Sequence, residues 1–260
     1  LQAADKRYSL DGPSDEMQAR RDLLRRYLIG VRDVDFSDDS TTTSISTVGV
    51  AFTQAINRDS RNRPEFPTMG SELSWVSTIS GIILGGNEDF HKHVFNLKWY
   101  VPVAEKVVFH QLMKLGAIRQ VESAGSRSFL PPDERFYMGG TGIPFGEMLR
   151  GYQDNTVGPY DGRPLGGTVM LKFSAELRVS LSESPTVYAL AFVDMGNTWE
   201  NFSYVDPFQL KRSAGFGVRL FMPMLGKLGL DLGYGFDTVD SDPEPVPHGW
   251  ELHFIFGAPF

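Results

Sequence analysis

Period-two alternation runs through the last third of this chain and leaves few folds open. In KLGLDLGYGF, Leu228, Leu230, Leu232, Tyr234 and Phe236 share one face, and Gly229, Asp231, Gly233 and Gly235 share the other. Successive side chains of a strand point to opposite faces, so this spacing predicts a strand with one apolar, aromatic side. GWELHFIFGAPF repeats the pattern with Trp250, Leu252, Phe254, Phe256, Ala258 and Phe260 on one face. TVMLKFSAELRVSL does so with Val169, Leu171, Phe173, Ala175, Leu177 and Val179 set against Lys172, Ser174, Glu176 and Arg178.

Nine such segments are read, near 41–58, 71–82, 91–103, 107–119, 167–181, 186–199, 210–223, 227–237 and 249–260. The fold class is all-β and antiparallel. Segment cores match the ~9–11 residues of a tilted strand crossing a bilayer. A soluble β-sandwich also has apolar inward faces. Here, though, the polar faces carry glycine and lone charges such as Asp231, Glu176 and Arg219, and Trp75, Trp99, Trp199, Trp250 and Phe260 lie near segment ends. Interfacial aromatic girdles flank the apolar band of a transmembrane β-barrel, which is the reading favoured. It predicts that Leu232→Arg is costly and that Gly233→Ser costs far less.

The chain has no run of eighteen apolar residues and hence no transmembrane-helix signature. Its formal charge of -7 argues against a nucleic-acid partner. With no cysteine, disulfides and thiolate metal sites are excluded.

Connections alternate as well. PVAEK, LSESPT and MPMLGK are tight, whereas 120–166, 200–209 and 238–248 are longer and polar. Bacterial barrels have short periplasmic turns and long external loops. On that basis NRPEFPTMGS and the C-terminus are periplasmic, while residues 1–40 and 120–166 are external. Nine is odd and single-chain bacterial barrels are even, so the chain reads as the C-terminal part of a larger barrel. Residues 1–40 are expected to form an extracellular loop segment. Within it SDEMQARRDLLRRYLIG predicts a short helix with Ser14 as N-cap and Gly30 as stop.

Arg150 is the charge that most needs a partner. It stands between Leu149 and Gly151, with Tyr152 next, in a stretch rich in Gly, Pro, Asn and Asp. Alternation aims Glu176 inward from one strand and Tyr188, Leu190, Phe192 and Asp194 inward from the next. A guanidinium with five donors can bridge two carboxylates. Gly151 lets the backbone approach the wall. The loop is therefore expected to fold into the barrel and to be latched there by Arg150.

RFYMGG, LRGYQDNTVGP, GG before a strand, SAEL and FVDMGNTW, in that order, resemble the C-terminal barrel of the BamA family. These are the outer-membrane β-barrel assembly factors, whose wider group includes two-partner secretion transporters and organellar insertases. The resemblance covers about residues 45–260, including RDSRNRPEFPTMGSEL. It implies a sixteen-stranded barrel, of which this chain holds the last nine strands, preceded by periplasmic POTRA domains outside this chain. The family's (V/I)RG(F/Y) motif falls on Leu149, Arg150, Gly151 and Tyr152, with Leu149 a departure. Its lumenal partners fall on Glu176, Phe192 and Asp194. Its gate, a weak seam between first and last strands with an inward kink at a glycine, falls on Gly257, and Phe260 is the aromatic end.

The resemblance implies folding and insertion of outer-membrane proteins in a Gram-negative bacterium. Implied partners are nascent outer-membrane proteins, accessory lipoproteins, periplasmic chaperones and outer-membrane lipid. The alternative is a two-partner secretion transporter, exporting an adhesin or toxin through the pore. Neither is an enzyme, and no cofactor or metal is expected. HKH (His91, His93) lacks a third ligand, DTVDSDPEP lacks a calcium loop's glycine and glutamate, and GGTGIPFG follows no strand–helix unit.

Overall fold

The structure, a computed structural model, describes residues 2–9, 44–81, 84–86, 88–121, 130–142, 146–222, 226–242 and 246–257. The short helix expected at 14–30, and Phe260, lie outside the described residues.

The nine expected strands are present as β2 (Ser44–Asp59), β3 (Gly70–Ser80), β4 (Phe90–Ala104), β5 (Val107–Gln120), β6 (Val169–Glu183), β7 (Thr186–Trp199), β8 (Lys211–Met222), β9 (Gly226–Gly235) and β10 (Gly249–Gly257). One addition is required. Gln2–Ser9, within the segment expected to be an external loop, forms a strand, β1, paired antiparallel with β2 from Gln2↔Ala51 to Ser9↔Ser44. QAADKRYS carries no apolar row, so periodicity gave no signal there. Each strand is hydrogen-bonded to the next in chain order, β1 through β10.

Two compact units make up the chain. The first comprises Leu1–Ala55, Val76–His93 and Ile118–Arg135. Within it, Phe90, Ile118 and Leu130 are buried. The Gly81 N–H donates to the Val50 carbonyl at 3.0 Å, and Lys92 Nζ donates to the Glu134 carbonyl at 2.7 Å.

The second unit comprises Ile56–Trp75, Val94–Ala117 and Phe136–Phe260. Its strands alternate as expected. On β9, Gly229, Asp231, Gly233 and Gly235 are buried, and on β7 Tyr188, Leu190, Phe192 and Asp194 are. The opposite faces expose Phe216, Val218, Leu230, Trp250, Leu252, Phe254 and Phe256. Charge sits inside and large apolar groups outside, the reverse of a soluble sandwich. Water would not support so continuous an apolar surface, whereas a lipid-facing band requires one.

The long connection between β5 and β6 is internally organised. Phe136 and Gly167 exchange backbone hydrogen bonds at 2.9 and 2.7 Å, Glu147 N–H donates to the Tyr137 carbonyl at 2.8 Å, and Val157 N–H to the Met138 carbonyl at 3.0 Å. Met138, Leu149 and Tyr152 are completely buried. A loop that satisfies its own backbone in this way can be placed against a strand surface without stranding donors.

Candidate functional site

Arg150 lies on the inward face of β6–β9 in the second unit, 2% exposed. Its Nε and Nη2 donate to Oδ2 and Oδ1 of Asp194, each at 2.7 Å. This forked geometry is the strongest that a guanidinium and a carboxylate form. Nη1 is 2.8 Å from Glu176 Oε1 and 3.4 Å from Asp231 Oδ2, and Nη2 donates to Ser174 Oγ at 3.2 Å. The guanidinium carbon lies 3.6 Å from the centre of the Phe192 ring, stacking range for cation and π face. Burial disfavours the charge, but the Asp194 and Glu176 carboxylates outweigh it, so the guanidinium holds its proton more tightly than usual.

Strand register explains the convergence. Ser174 sits directly across from Asp194 in the β6–β7 ladder, and Glu176 across from Phe192. Ser174 Oγ donates to Asp194 Oδ1 at 2.5 Å. Arg178 Nη2 lies 2.6 Å from Glu176 Oε2, and Arg219 Nη2 donates to Asp231 Oδ2 at 2.6 Å. Three arginines thus face three carboxylates, with the buried Lys172 beside them. Of the three acids, Asp194 takes its forked pair from Arg150, while Glu176 and Asp231 each hold a second arginine. A cavity of 220 Å³ adjoins the cluster, with Arg150, Glu176, Arg178, Arg219 and Lys227 in its wall. It has room for several waters.

Gly151 follows at φ +83°, a conformation glycine adopts without steric cost. A Cβ there would stand 2.9 Å from Ser213 Cβ. The loop backbone lies directly on β9, since a Cβ built at Gly233 would meet Gly151 N at 2.7 Å. This weighs against the expectation that Gly233→Ser costs far less than Leu232→Arg: the inward glycines of β9 are the floor on which the loop rests. Tyr152 donates its hydroxyl to the Arg212 carbonyl at 2.6 Å. Burial raises the phenol above its ordinary value, which keeps that donor protonated.

Alternation had brought Glu176, Phe192 and Asp194 to one interior, and the structure sets all three around Arg150. Asp231, Ser174 and Arg219 escaped notice as partners, although alternation had aimed Asp231 and Ser174 inward. Gly257 pairs with Lys227 at the end of the β9–β10 ladder. A Cβ there would meet nothing nearer than 3.7 Å, so packing does not demand glycine at 257. Of the sequence motifs set aside, His91 Nδ1 and His93 Nε2 lie 3.3 Å apart in the first unit.

Residues 11–260 match the Omp85 superfamily domain. The chain belongs to the Omp85 superfamily. It is 29% identical over 209 residues to the outer membrane protein assembly factor BamA of Nitratidesulfovibrio vulgaris, covering 78% of this chain and 24% of that protein. The chain therefore spans about a quarter of the length of that relative. Its fold is similar to the crystal structure of BamA from Haemophilus ducreyi lacking POTRA domains 1-3, with a TM-score of 0.66 and 18% identity. The similarity covers 89% of this chain and 46% of that one. As an Omp85 superfamily member with an apolar outer face, the chain is an outer-membrane β-barrel protein of a Gram-negative bacterium.

Proposed function

We propose that this chain is the C-terminal barrel part of an outer-membrane protein assembly factor, which folds and inserts other β-barrel proteins. The observation that carries the reading is the seated loop: Arg150 forked on Asp194, bridged to Glu176 and stacked on Phe192. A passive pore has no need to hold a loop against its inner wall with a buried charge cluster.

The work done is not bond chemistry. A substrate strand is offered a sheet edge at a seam beside β10, and pairing there satisfies backbone groups that lipid cannot. The loop latch at Leu149, Arg150, Gly151 and Tyr152 keeps the inner wall in the geometry that seam requires. Partners under this reading are nascent outer-membrane proteins, with accessory lipoproteins and periplasmic chaperones delivering them. The tight turns at 103–107 and 182–186 are periplasmic and the 120–166 connection external.

The test is complementation in a strain depleted of its own assembly factor, using the full-length protein. Wild type should restore outer-membrane protein levels, Arg150→Ala should fail, and Arg150→Lys should restore part, because an ammonium cannot fork onto Asp194 and reach Glu176 as well. If wild type exports a secreted adhesin but leaves barrel-protein levels depleted, the assembly reading is wrong and a secretion transporter replaces it. Labelling by an impermeant thiol reagent on intact cells checks the orientation. A cysteine at Glu105 should stay unlabelled, and labelling there would reverse it.

A further inference from the structure

Arg150 reaches toward β6, β7 and β9. The three residues after it turn the other way. The Gly151 N–H donates to Nε2 of His253 on β10, at 2.8 Å and buried. The Tyr152 ring lies 5.4 Å, centre to centre, from the ring of His248, just before β10. Gln153 Nε2 approaches Glu251 Oε1 at 3.4 Å. Consecutive loop residues thus meet residues 253, 248 and 251, all in the last strand or its lead-in.

The Gly151 contact is the one that couples the two elements. Its acceptor is a ring nitrogen on a strand, and its donor is a backbone group that cannot rotate away. Gly151 is fixed from below by Gly233 and Gly235, where any Cβ would collide with it. Nε2 accepts here, so the proton of a neutral ring is on Nδ1. If β10 swings outward, the Gly151 N–H loses its acceptor in a buried place, and a lost buried hydrogen bond of that kind is costly. The lead-in is braced independently, because His248 Nδ1 lies 2.8 Å from Asp242 Oδ1 and Asp242 Oδ2 accepts from the Val239 N–H.

We propose that His253 is the positioning residue through which the seated loop holds β10, and that this tie is released when the strand moves to receive a substrate strand. The inference rests on the seam reading given above. It assigns the loop two jobs on adjacent residues: Arg150 anchors it to the wall, and Gly151 to Gln153 hold the strand that opens.

Two measurements test it on the full-length protein in lipid nanodiscs and in cells. Amide exchange of residues 249–257 is followed in wild type, His253→Leu and His253→Gln. The leucine removes the acceptor, whereas the glutamine offers a side-chain oxygen at similar reach. Exchange should rise about tenfold in His253→Leu, the worth of one buried hydrogen bond, and stay near wild type in His253→Gln. Wild-type exchange in His253→Leu overturns the tie, and so does a glutamine variant as fast as the leucine, since ring packing would then be what matters. In the second measurement Gln153→Cys and Glu251→Cys are joined by a short bis-thiosulfonate in a protein otherwise free of cysteine. Bridging should stop substrate assembly and reduction should restore it. A bridged protein that assembles substrate as well as the reduced one overturns the release step. If the reduced protein and wild type both fail to assemble substrate, the assembly reading falls and takes the release step with it, while exchange still judges the tie.

Discussion

Two arginines of the second unit make nearly the same bonds in different surroundings. Arg150 forks onto Asp194 at 2.7 Å and reaches Glu176 at 2.8 Å. In the turn after β2, Arg61 lies 2.7 Å from Asp59 and 3.0 Å from Glu72, and Lys98 Nζ is 2.9 Å from the same Glu72. By distances alone the two would be ranked equal. Their side chains are 3% and 17% exposed, and the main acids 1% and 49%. Water screens the second network and competes for every donor in it, whereas Arg150 and Asp194 are almost entirely withdrawn from it. Bond length is a poor guide to worth; what stands behind the charges decides.

The largest effect should follow loss of Arg150. Removing one partner of a buried pair typically costs on the order of 3–5 kcal/mol, reduced here by cavity water. Arg150→Ala should therefore lower the temperature at which the folded barrel loses its heat-modifiable mobility on gels. The pairing within the cluster sharpens this prediction. With Arg150 gone, Asp194→Asn should recover more than Glu176→Gln, because Glu176 still has Arg178 and neutralising it strands that cation. Equal rescue by both would mean that the acids are not individually served.

A third arginine can be placed on the outer face. Leu232→Arg should cost roughly 2–4 kcal/mol if it sits near the bilayer midplane, and less toward either rim. Urea titration of the barrel in lipid vesicles measures this. A cost near zero would put the outer face of β9 in water and break the contrast between the two faces.

Arg61→Ala should cost about 1 kcal/mol or less, and the loss should shrink further in high salt. An effect as large as that of Arg150→Ala would show that the turn is dehydrated in the working protein. The smallest effect concerns acid. Burial raises the Asp237 carboxyl, but hydrogen bonds from the Arg212 side chain and backbone overcome this and depress it below its ordinary value. A depressed folded-state carboxyl contributes stability above the ordinary carboxylate range and loses it as pH falls through the depressed value. Wild type and Asp237→Asn should differ in unfolding temperature at neutral pH and converge in acid.

What the sequence revealed and what it concealed divide along one line. Alternation assigns each residue to a face, so Glu176, Phe192 and Asp194 could be aimed at a common interior. It does not give height or register, so that Ser174 stands across from Asp194 was not legible, and neither was the approach of Asp231 from β9. A shift of register between Ser180 and Ser182 on β6 shows how locally such offsets arise. The role of Gly233 was hidden for a different reason. A glycine on an inward face reads as empty space until the loop that fills it is in place. β1 escaped because a strand without an apolar row carries no period to detect.

The alternation of β10 also limits how that strand can move. Trp250, Leu252, Phe254 and Phe256 face outward, and His253 and Ile255 inward. Slipping by one residue against β9 would drive the aromatic row into the polar interior and leave the imidazole in hydrocarbon. Slipping by two, about 6.8 Å, restores every side chain to its own solvent. Against β9 the strand therefore has discrete positions, like a ratchet with a two-residue tooth, and any slide that keeps it in the membrane must advance by whole teeth.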